Sequence, residues 1–310
     1  MLQGFQLIPK LESVAMQLNE SKANYSGVIA AFFATIFWGG AYVAMKFSLQ
    51  HFHPMSMIFL RLAIASVVCL AFIPLMISRQ RYTKGDWRIF LVLVLCEPCF
   101  YFIFEGYALK YTSASQAGML VSTLPIFVGI FGYFFLKEKI SRIGWTGCLI
   151  AICGAVWLSM GAVADIHAPD PLLGNFLEFC AMLFAAIYAI CVRRLSSGYS
   201  ALFITSVQAW GGALFFLPAM FIPGMGLPMD APLSSWLSII YLGIGVSLGA
   251  YGLYNFSITR MPAAKASMYM NLIPVFTLIF GMIILGERLT SMQYLASVMV
   301  LGGVIVSQRR

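Results

Sequence analysis

The chain has 310 residues, of which 61% are hydrophobic and only 10% are charged. A soluble domain carries about 25% charged residues, so the composition excludes an ordinary soluble protein and predicts an integral membrane protein in contact with lipid. The net charge of +8 does not indicate a nucleic-acid partner, because the basic residues lie in short segments between apolar runs, where they act as topology signals.

The first 25 residues form a hydrophilic leader that we predict to be cytoplasmic. Apolar residues recur in it at helical period, which leaves an interfacial amphipathic helix and a disordered tail both open. Ten apolar runs follow, each near the ~20 residues that a helix needs to cross the hydrocarbon core. We predict ten transmembrane helices, called spans 1 to 10, over residues 26–48, 54–78, 87–109, 113–136, 143–162, 172–192, 201–222, 234–258, 263–285 and 290–307.

The distribution of Lys and Arg predicts the orientation of the spans. If the N-terminus is inside, fourteen of these residues lie in inner segments and two in outer loops. Cationic segments are retained on the cytoplasmic side of the membrane. We therefore expect a multi-pass protein of the cell (inner) membrane with both termini cytoplasmic.

The sequence contains an internal repeat. A shift of 149 positions places Ala114–Glu138 on Ala263–Glu287 without a gap, with 10 of 25 positions identical, among them Pro125 and Pro274. Composition alone explains shared Phe or Leu residues, but not a proline, a glycine and a glutamate in register.

The repeat divides the chain into two five-span units, repeat 1 over residues 26–162 and repeat 2 over residues 172–307. Because five is an odd number, the second unit enters the membrane from the opposite side. The predicted fold is an all-α membrane protein of two inverted five-helix repeats. Inverted repeats are typical of secondary transporters with a site near the membrane midplane, although duplication also builds receptors and scaffolds.

Several short motifs are distributed over the two repeats. They are Trp38-Gly39, Tyr107–Gly118, Pro125, Glu138, Met261–Ser267, Pro274–Phe276, Leu285–Thr290 and Gly302–Val304. With them the chain resembles the EamA-type ten-helix members of the drug/metabolite transporter superfamily over about residues 26–307. The resemblance implies a basket-like bundle with a central cavity, and export of amino acids, nucleobase-like metabolites or drugs.

Acidic residues in span 3 depart from that family pattern. A charge within a span costs at least ~2.5–3.5 kcal/mol, so it is expected to face the bundle interior or a wet cavity. Glu97, Tyr101 and Glu105 follow at i, i+4 and i+8 and would share one helical face, beside a kink at Pro98. We expect this face to line the cavity; the alternative is a buried structural pair with Arg61.

Glu178 in span 6 is predicted at a depth similar to that of Arg61. An Arg–Glu pair there would be either a structural lock or a gate, and the sequence does not decide which acid pairs with Arg61. Desolvation disfavours a charged carboxyl group, which makes buried acids candidates for proton coupling; exchange without protons stays open. The candidates for coupling or gating are Glu97, Glu105, Glu178 and Arg61.

Aromatic and polar side chains at mid-span are further candidates for the cavity wall. Ser122 and Asn271 occupy equivalent repeat positions, three residues before the two prolines. Together with Arg61 and the polar face of span 3, the substrate-binding candidates are Trp38, Tyr42, Ser122, Tyr188, Tyr251, Tyr254 and Asn271.

Motifs of catalysis and metal binding are weak. The segment 245–249 fits a nucleophile-elbow pattern but lies within a span, and no span contains a histidine to activate its serine. Cys96 and Cys99 lack a second ligand pair for a metal. We predict no catalytic or metal-binding residues and no cofactor, and a protein that is not an enzyme.

The predicted function is export of amino acids or related small metabolites by alternating access. A carboxylate would bind the substrate amine and Arg61 its carboxylate. Other possibilities are transport of an organic cation, a drug or a nucleotide-like metabolite, or a non-transporting scaffold or receptor; an intramembrane enzyme is disfavoured. The sequence leaves the substrate, the coupling ion and the oligomeric state open.

Overall fold

The computed structural model describes residues 7–74, 80–136, 141–161, 164–165, 168–261, 266 and 269–307, with residues 7–24, 136 and 307 described by their backbone alone. Glu138, which the repeat pairs with Glu287, lies outside the described residues.

In the described part of the chain, an apolar helix lies at each of the ten predicted spans. Seven of them are long and apolar enough to cross a membrane, and three are shorter. The predicted all-α class is confirmed. The helices are α1 (Leu7–Leu49), α2 (Pro54–Leu70), α3 (Asp86–Tyr111), α4 (Ala114–Phe135), α5 (Arg142–Met160), α6 (Pro171–Leu195), α7 (Ala201–Phe221), α8 (Leu233–Arg260), α9 (Ile273–Leu285) and α10 (Ser291–Ser307).

Several helix boundaries differ from the prediction. The α1 helix begins at Leu7, so the backbone of residues 7–24 in the leader is helical and continuous with the first span. The α2 helix ends at Leu70, whereas the second span is predicted to run to residue 78. The span predicted over 263–285 is helical at the described residues 266, 269 and 270, turns at residues 271–272, and continues as α9 from Ile273, directly before the repeat proline Pro274.

Polar residues in the short connections fix where several helices begin. The side-chain oxygens of Ser113, Ser141 and Ser200 accept hydrogen bonds from backbone N–H groups three residues later, at 3.0–3.2 Å. Thr290 and Gln293 form a reciprocal capping box at the start of α10. These bonds satisfy the backbone N–H groups that have no partner at the start of a helix. Close to the lipid bilayer this matters because an unsatisfied backbone group is costly in hydrocarbon.

The helix contacts are symmetric between the two halves. If α1 to α5 are exchanged with α6 to α10 in order, the contact of α3 with α6 becomes that of α8 with α1, and α1 with α9 becomes α6 with α4. The pairs α2–α7, α4–α9 and α5–α10 map onto themselves. The repeat read from the sequence is therefore a pseudo-twofold arrangement of helices.

A contact between the halves on the predicted outer face involves Glu287, directly after α9. Its Oε1 accepts a hydrogen bond from the Ala114 N–H at 2.9 Å, and its Oε2 accepts one from the Ser115 N–H at 2.8 Å. Gly286 has φ +68°, a left-handed conformation that turns the chain at the end of α9. The carboxylate thereby caps the first turn of α4, where negative charge is favoured.

The connections between helices also join the halves on both faces. On the predicted outer face, His51 Nδ1 and Ser235 Oγ are hydrogen-bonded at 3.1 Å. On the predicted cytoplasmic face, Gln80 donates to Ser200 Oγ at 3.1 Å. The bundle is thus held together at both ends around its centre.

Another cytoplasmic-face contact pairs a tyrosine with an acid. Tyr199 donates to Asp86 Oδ2 at 3.0 Å. Burial, together with the acceptor Asp86, raises the pKa of Tyr199 to about 12. The phenol therefore keeps its proton at neutral pH and stays a hydrogen-bond donor.

Candidate functional site

A cavity lies at the centre of the bundle, between α1, α3 and α4 of the first half and α6, α8 and the start of α9 in the second. Its wall is mostly aromatic and aliphatic, with a carboxyl group. The lining residues are Trp38, Tyr42, Glu97, Tyr101, Val121, Leu124, Met182, Ala185, Tyr188, Tyr251, Tyr254, Met270 and Ile273.

The cavity is small. The centres of water molecules can occupy ≈ 30 Å³ of it, and one water needs roughly 10–15 Å³ by this measure. It therefore holds about two waters or one small polar group. An amino acid or a larger metabolite fits only if the helices around the cavity move apart.

Part of the wall repeats between the halves. Val121 and Met270 are related by the shift of 149 positions, and so are Leu124 and Ile273. Sequence reasoning missed these apolar residues because it looked for polar ones. The repeat register was the signal that marks them, since equivalent positions of an inverted repeat face a shared axis.

Glu97 reaches this wall from an interruption in α3. Its backbone is extended, with φ −146° and ψ 116°, so the prediction of one continuous helical face through Glu97, Tyr101 and Glu105 is wrong at its first member. The side chain is 3% exposed. Tyr251 donates a hydrogen bond to its Oε1, while its Oε2 has no hydrogen-bond partner among the described residues.

Glu105 is the partner of Arg61. The Tyr101 hydroxyl donates to Glu105 Oε1 at 2.7 Å, and Arg61 Nη1 lies 3.7 Å from Glu105 Oε2. Arg61 Nε donates to Ser247 Oγ at 2.9 Å, and its guanidinium lies 4.2 Å from the ring centroid of Phe102. In the described part of the chain, neither Arg61 nor Glu105 belongs to the cavity wall.

Glu178 in α6 is fully buried, and its Oε1 accepts a hydrogen bond from Tyr42 at 3.0 Å. Its Oε2 has no hydrogen-bond partner among the residues described. Glu178 does not line the cavity there, but Tyr42 does. Within the same part of the structure, the ion pair of Arg61 is with Glu105 and not with Glu178.

The three buried acids share one arrangement. In each, a tyrosine hydroxyl holds one carboxyl oxygen and leaves the other without a hydrogen bond in the described structure. Arg61 is the cation within ion-pair distance of this group in that same region. An unpaired buried carboxylate is costly, so the arrangement can bind a proton or a positively charged group.

The aromatic side chains form a cage beside Glu97. Trp38 contacts Tyr251 and Tyr254 with ring centroids 5.2 and 5.3 Å apart and rings inclined at 90° and 69°. The ring centroids of Tyr188 and Tyr251 are 6.1 Å apart, and the two ring planes are inclined at 74°. Tyr188 donates to Asn255 Oδ1 at 2.6 Å, a buried amide that sequence reasoning did not single out, although an asparagine within an apolar span was the signal.

Ser122 and Asn271 lie beside the wall rather than in it. The neighbouring Val121 and Met270 line the cavity. Ser122 Oγ and Asn271 Oδ1 have no hydrogen-bond partner in the described part of the chain. Both side chains therefore have a polar atom able to form a hydrogen bond, and each is the sequence neighbour of a residue that lines the cavity.

Comparison with known proteins gives consistent matches over most of the chain. The sequence profile of the EamA-like transporter family matches residues 25–160 and 172–308. YetK, an uncharacterized transporter of Bacillus subtilis (strain 168), is 30% identical over 252 residues, covering 80% of this chain and 76% of that protein.

Two further proteins extend the comparison. A probable terminal-alkyne amino-acid exporter of Streptantibioticus cattleyicolor is 24% identical over 287 residues, covering 91% of this chain and 93% of that protein. A crystal structure of a protein with 19% sequence identity superposes with a TM-score of 0.67 over 92% of this chain and 96% of that chain. At that identity the structural match shows the fold alone.

Proposed function

This chain belongs to the EamA-like transporter family, and on that premise we propose that it exports amino acids or related small metabolites by alternating access. It is a multi-pass membrane transporter of the drug/metabolite type. The proposal adds the class of substrate, the direction and the mechanism.

The observation that carries the proposal is the position of the cavity between three helices of each half. A site at the axis of two inverted repeats is exposed to either face when the halves rock against each other. The small volume of the cavity supports such motion, because a metabolite enters only after the helices separate. Contacts between the halves on both faces would break in turn as each face opens.

The chemistry of the wall supports a substrate with an amino group. Glu97 offers a carboxyl oxygen, and the aromatic rings offer surface for the rest of the molecule. A relative whose name is a probable amino-acid exporter agrees with this substrate class. Arg61 is the proposed partner of the substrate carboxylate, and it would have to leave Glu105 and become accessible as the cavity widens.

Proton coupling is part of the same proposal. Among the described lining residues Glu97 is the one acid, so a proton and a substrate amine would compete for its carboxyl group. Glu105 and Glu178 are the further candidates, as proton carriers or as parts of a gate with Arg61.

The excess of Lys and Arg in the inner segments supports insertion in the cell (inner) membrane with both termini cytoplasmic.

Counterflow in proteoliposomes tests the function. Vesicles preloaded with single amino acids, nucleosides or organic cations are given the same compound in labelled form, at several internal and external pH values. We expect uptake for amino-bearing compounds that falls at least tenfold in Glu97→Gln. Absence of substrate-specific flux across the panel would favour a scaffold or receptor, and unchanged pH dependence in Glu97→Gln would exclude Glu97 as the coupling acid.

A further inference from the structure

The second carboxyl oxygen of Glu97 is the starting point. The side chain is 3% exposed and lines the cavity, and Oε2 has no hydrogen-bond partner among the described residues. Tyr251 satisfies only the other oxygen. A carboxylate that has lost its water and has a free oxygen attracts a donor that carries positive charge, since charge-assisted hydrogen bonds are the strong ones.

The rings beside Glu97 are suited to the same group. Trp38 meets Tyr251 and Tyr254 at steep angles with ring centroids 5.2–5.3 Å apart, and all three side chains line the cavity. The face of an aromatic ring attracts a cation within about 6 Å, by ~0.5–2 kcal/mol for each ring. Tyr251 contributes in two ways, because its hydroxyl donates a hydrogen bond to Glu97 and its ring is part of the cage.

The described part of the wall offers no matching site for an anion. Of the described lining residues, none is Lys, Arg or His. Arg61 is bound to Glu105 and Ser247 and stacks on Phe102. The ring centroids of Phe102 and Tyr251 are 6.1 Å apart. A carboxylate in the cavity would therefore be desolvated beside Glu97 without a cation, and like charges repel.

We infer that the central cavity is an ammonium-binding site, in which the Glu97 carboxylate and the cage of Trp38, Tyr251 and Tyr254 bind a cationic amine and disfavour an amine that also carries a carboxylate. The inference rests on the proposed function for the location of the substrate site. It is an alternative to the proposed contact between Arg61 and a substrate carboxylate, which requires Arg61 to leave Glu105. Within the class of amino acids and related metabolites, it narrows the substrate to the related metabolites that have a net positive charge, such as amines, esters or amides. The space for about two waters accommodates an ammonium group in the present conformation.

Binding of a matched series of probes tests the inference. Isothermal titration calorimetry on the wild-type protein in lipid nanodiscs compares 3-methylbutylamine, L-leucine methyl ester, L-leucine and 4-methylpentanoate, which share one branched alkyl chain; 2-phenylethylamine extends the test to an aromatic amine. We expect the amine and the ester to bind at least tenfold more tightly than leucine, and 4-methylpentanoate not to bind. Leucine binding as tightly as the amine, or absence of binding by both amines, overturns the inference.

Variants identify the groups that bind the amine. Glu97→Gln should weaken amine binding at least tenfold. The control Asp86→Asn alters another tyrosine-bound carboxyl group, outside the cavity, and should leave it within twofold. Tyr254→Leu should weaken amine binding severalfold more than Tyr254→Phe, which keeps the ring. Equal binding by Glu97→Gln and Asp86→Asn contradicts the inference, and the ranking of probes on the wild-type protein stands even if a variant fails to fold.

Flux separates this inference from the transport proposal. If the amines bind but no probe crosses proteoliposomes, the transport proposal fails and the ammonium site stands. If leucine is both bound and transported better than 3-methylbutylamine, transport stands and the ammonium site is wrong.

Discussion

Arg61 shows how a full charge is accommodated inside this bundle. The residue is 1% exposed and contacts a carboxylate, a hydroxyl and an aromatic ring on Glu105, Ser247 and Phe102. Removal of one partner of a buried ion pair leaves the other charge uncompensated, which is much more costly than replacement of both partners by neutral groups. The pair therefore makes each residue dependent on the other.

Substitution of Arg61 tests this dependence. Arg61→Met should lower the free energy of unfolding by about 3–5 kcal/mol, because the Glu105 carboxylate stays buried without its cation. The double variant Arg61→Met/Glu105→Gln should recover most of the loss. Denaturant unfolding of the purified proteins in one detergent measures both; a double variant as unstable as the single one would show that the ion pair is not the cause.

The buried acids were predictable individually, but two of their three tyrosine partners were not. Charge is costly within a span, so Glu97, Glu105 and Glu178 attract notice from sequence alone. Tyr101 lies on the same helix as its acceptor Glu105, on the face predicted from the sequence. The tyrosine partners of Glu97 and Glu178 are Tyr251 and Tyr42, which lie 154 and 136 residues away along the chain. Such pairs depend on the depth and rotation of two helices, and no local pattern encodes these quantities.

Among the described helices, α5 and α10 form an extensive contact, and glycines lie within it. A Cβ atom on Gly303 would lie 2.4 Å from the backbone nitrogen of Ala151, and one on Gly154 would lie 2.8 Å from that of Val300. Small residues at such contacts let two membrane helices approach, and packing rather than hydrophobic exclusion then holds them together. This contact between the repeats therefore depends on the absence of side chains at Gly154 and Gly303.

The adjacent glycines of α10 provide a matched pair for a test of this packing. Gly303→Ala should destabilise the protein by about 1–3 kcal/mol, because the added methyl group meets backbone that cannot move aside. Gly302 has no atom within 4 Å of an added Cβ, so Gly302→Ala should be neutral or slightly stabilising through helix propensity. Thermal unfolding in nanodiscs compares the two, and equal effects would contradict close packing at Gly303.

The observed helix starts agree with the predicted ones where a polar capping residue precedes an apolar run. Ser113 before α4 and Ser200 before α7 are examples. The interruption at Glu97 shows the limit of that rule. Hydropathy predicts one span from 87 to 109, whereas the backbone at Glu97 is extended. An apolar run gives the length of a crossing, but its regularity depends on the neighbours that pack against it.

At the scale of the molecule, the two halves contact each other on both faces. His51 meets Ser235 on the predicted outer face, and Gln80 meets Ser200 on the predicted cytoplasmic face. Alternating access requires each contact to open while the other stays closed. A rigid scaffold would keep both closed permanently.

Crosslinking distinguishes these behaviours. In a variant without the seven native cysteines, cysteine pairs at positions 51 and 235, or at 80 and 200, are joined by a short thiol-reactive linker. Either crosslink should abolish counterflow by preventing one face from opening, and a cleavable linker should restore it after reduction. Single-cysteine variants treated identically control for modification alone; undiminished flux with both crosslinks in place would contradict the rocking motion.

The sequence by itself determined the membrane as solvent, the ten crossings, the inverted repeat and the unusual acids, because each is written in local hydropathy or in a fixed shift along the chain. The tertiary structure alone decided that Arg61 pairs with Glu105, that Glu97 lies at a break in α3, and that rings from α1, α6 and α8 converge on it. These features depend on how helices far apart in sequence rotate and approach, and many small packing contacts set that geometry together.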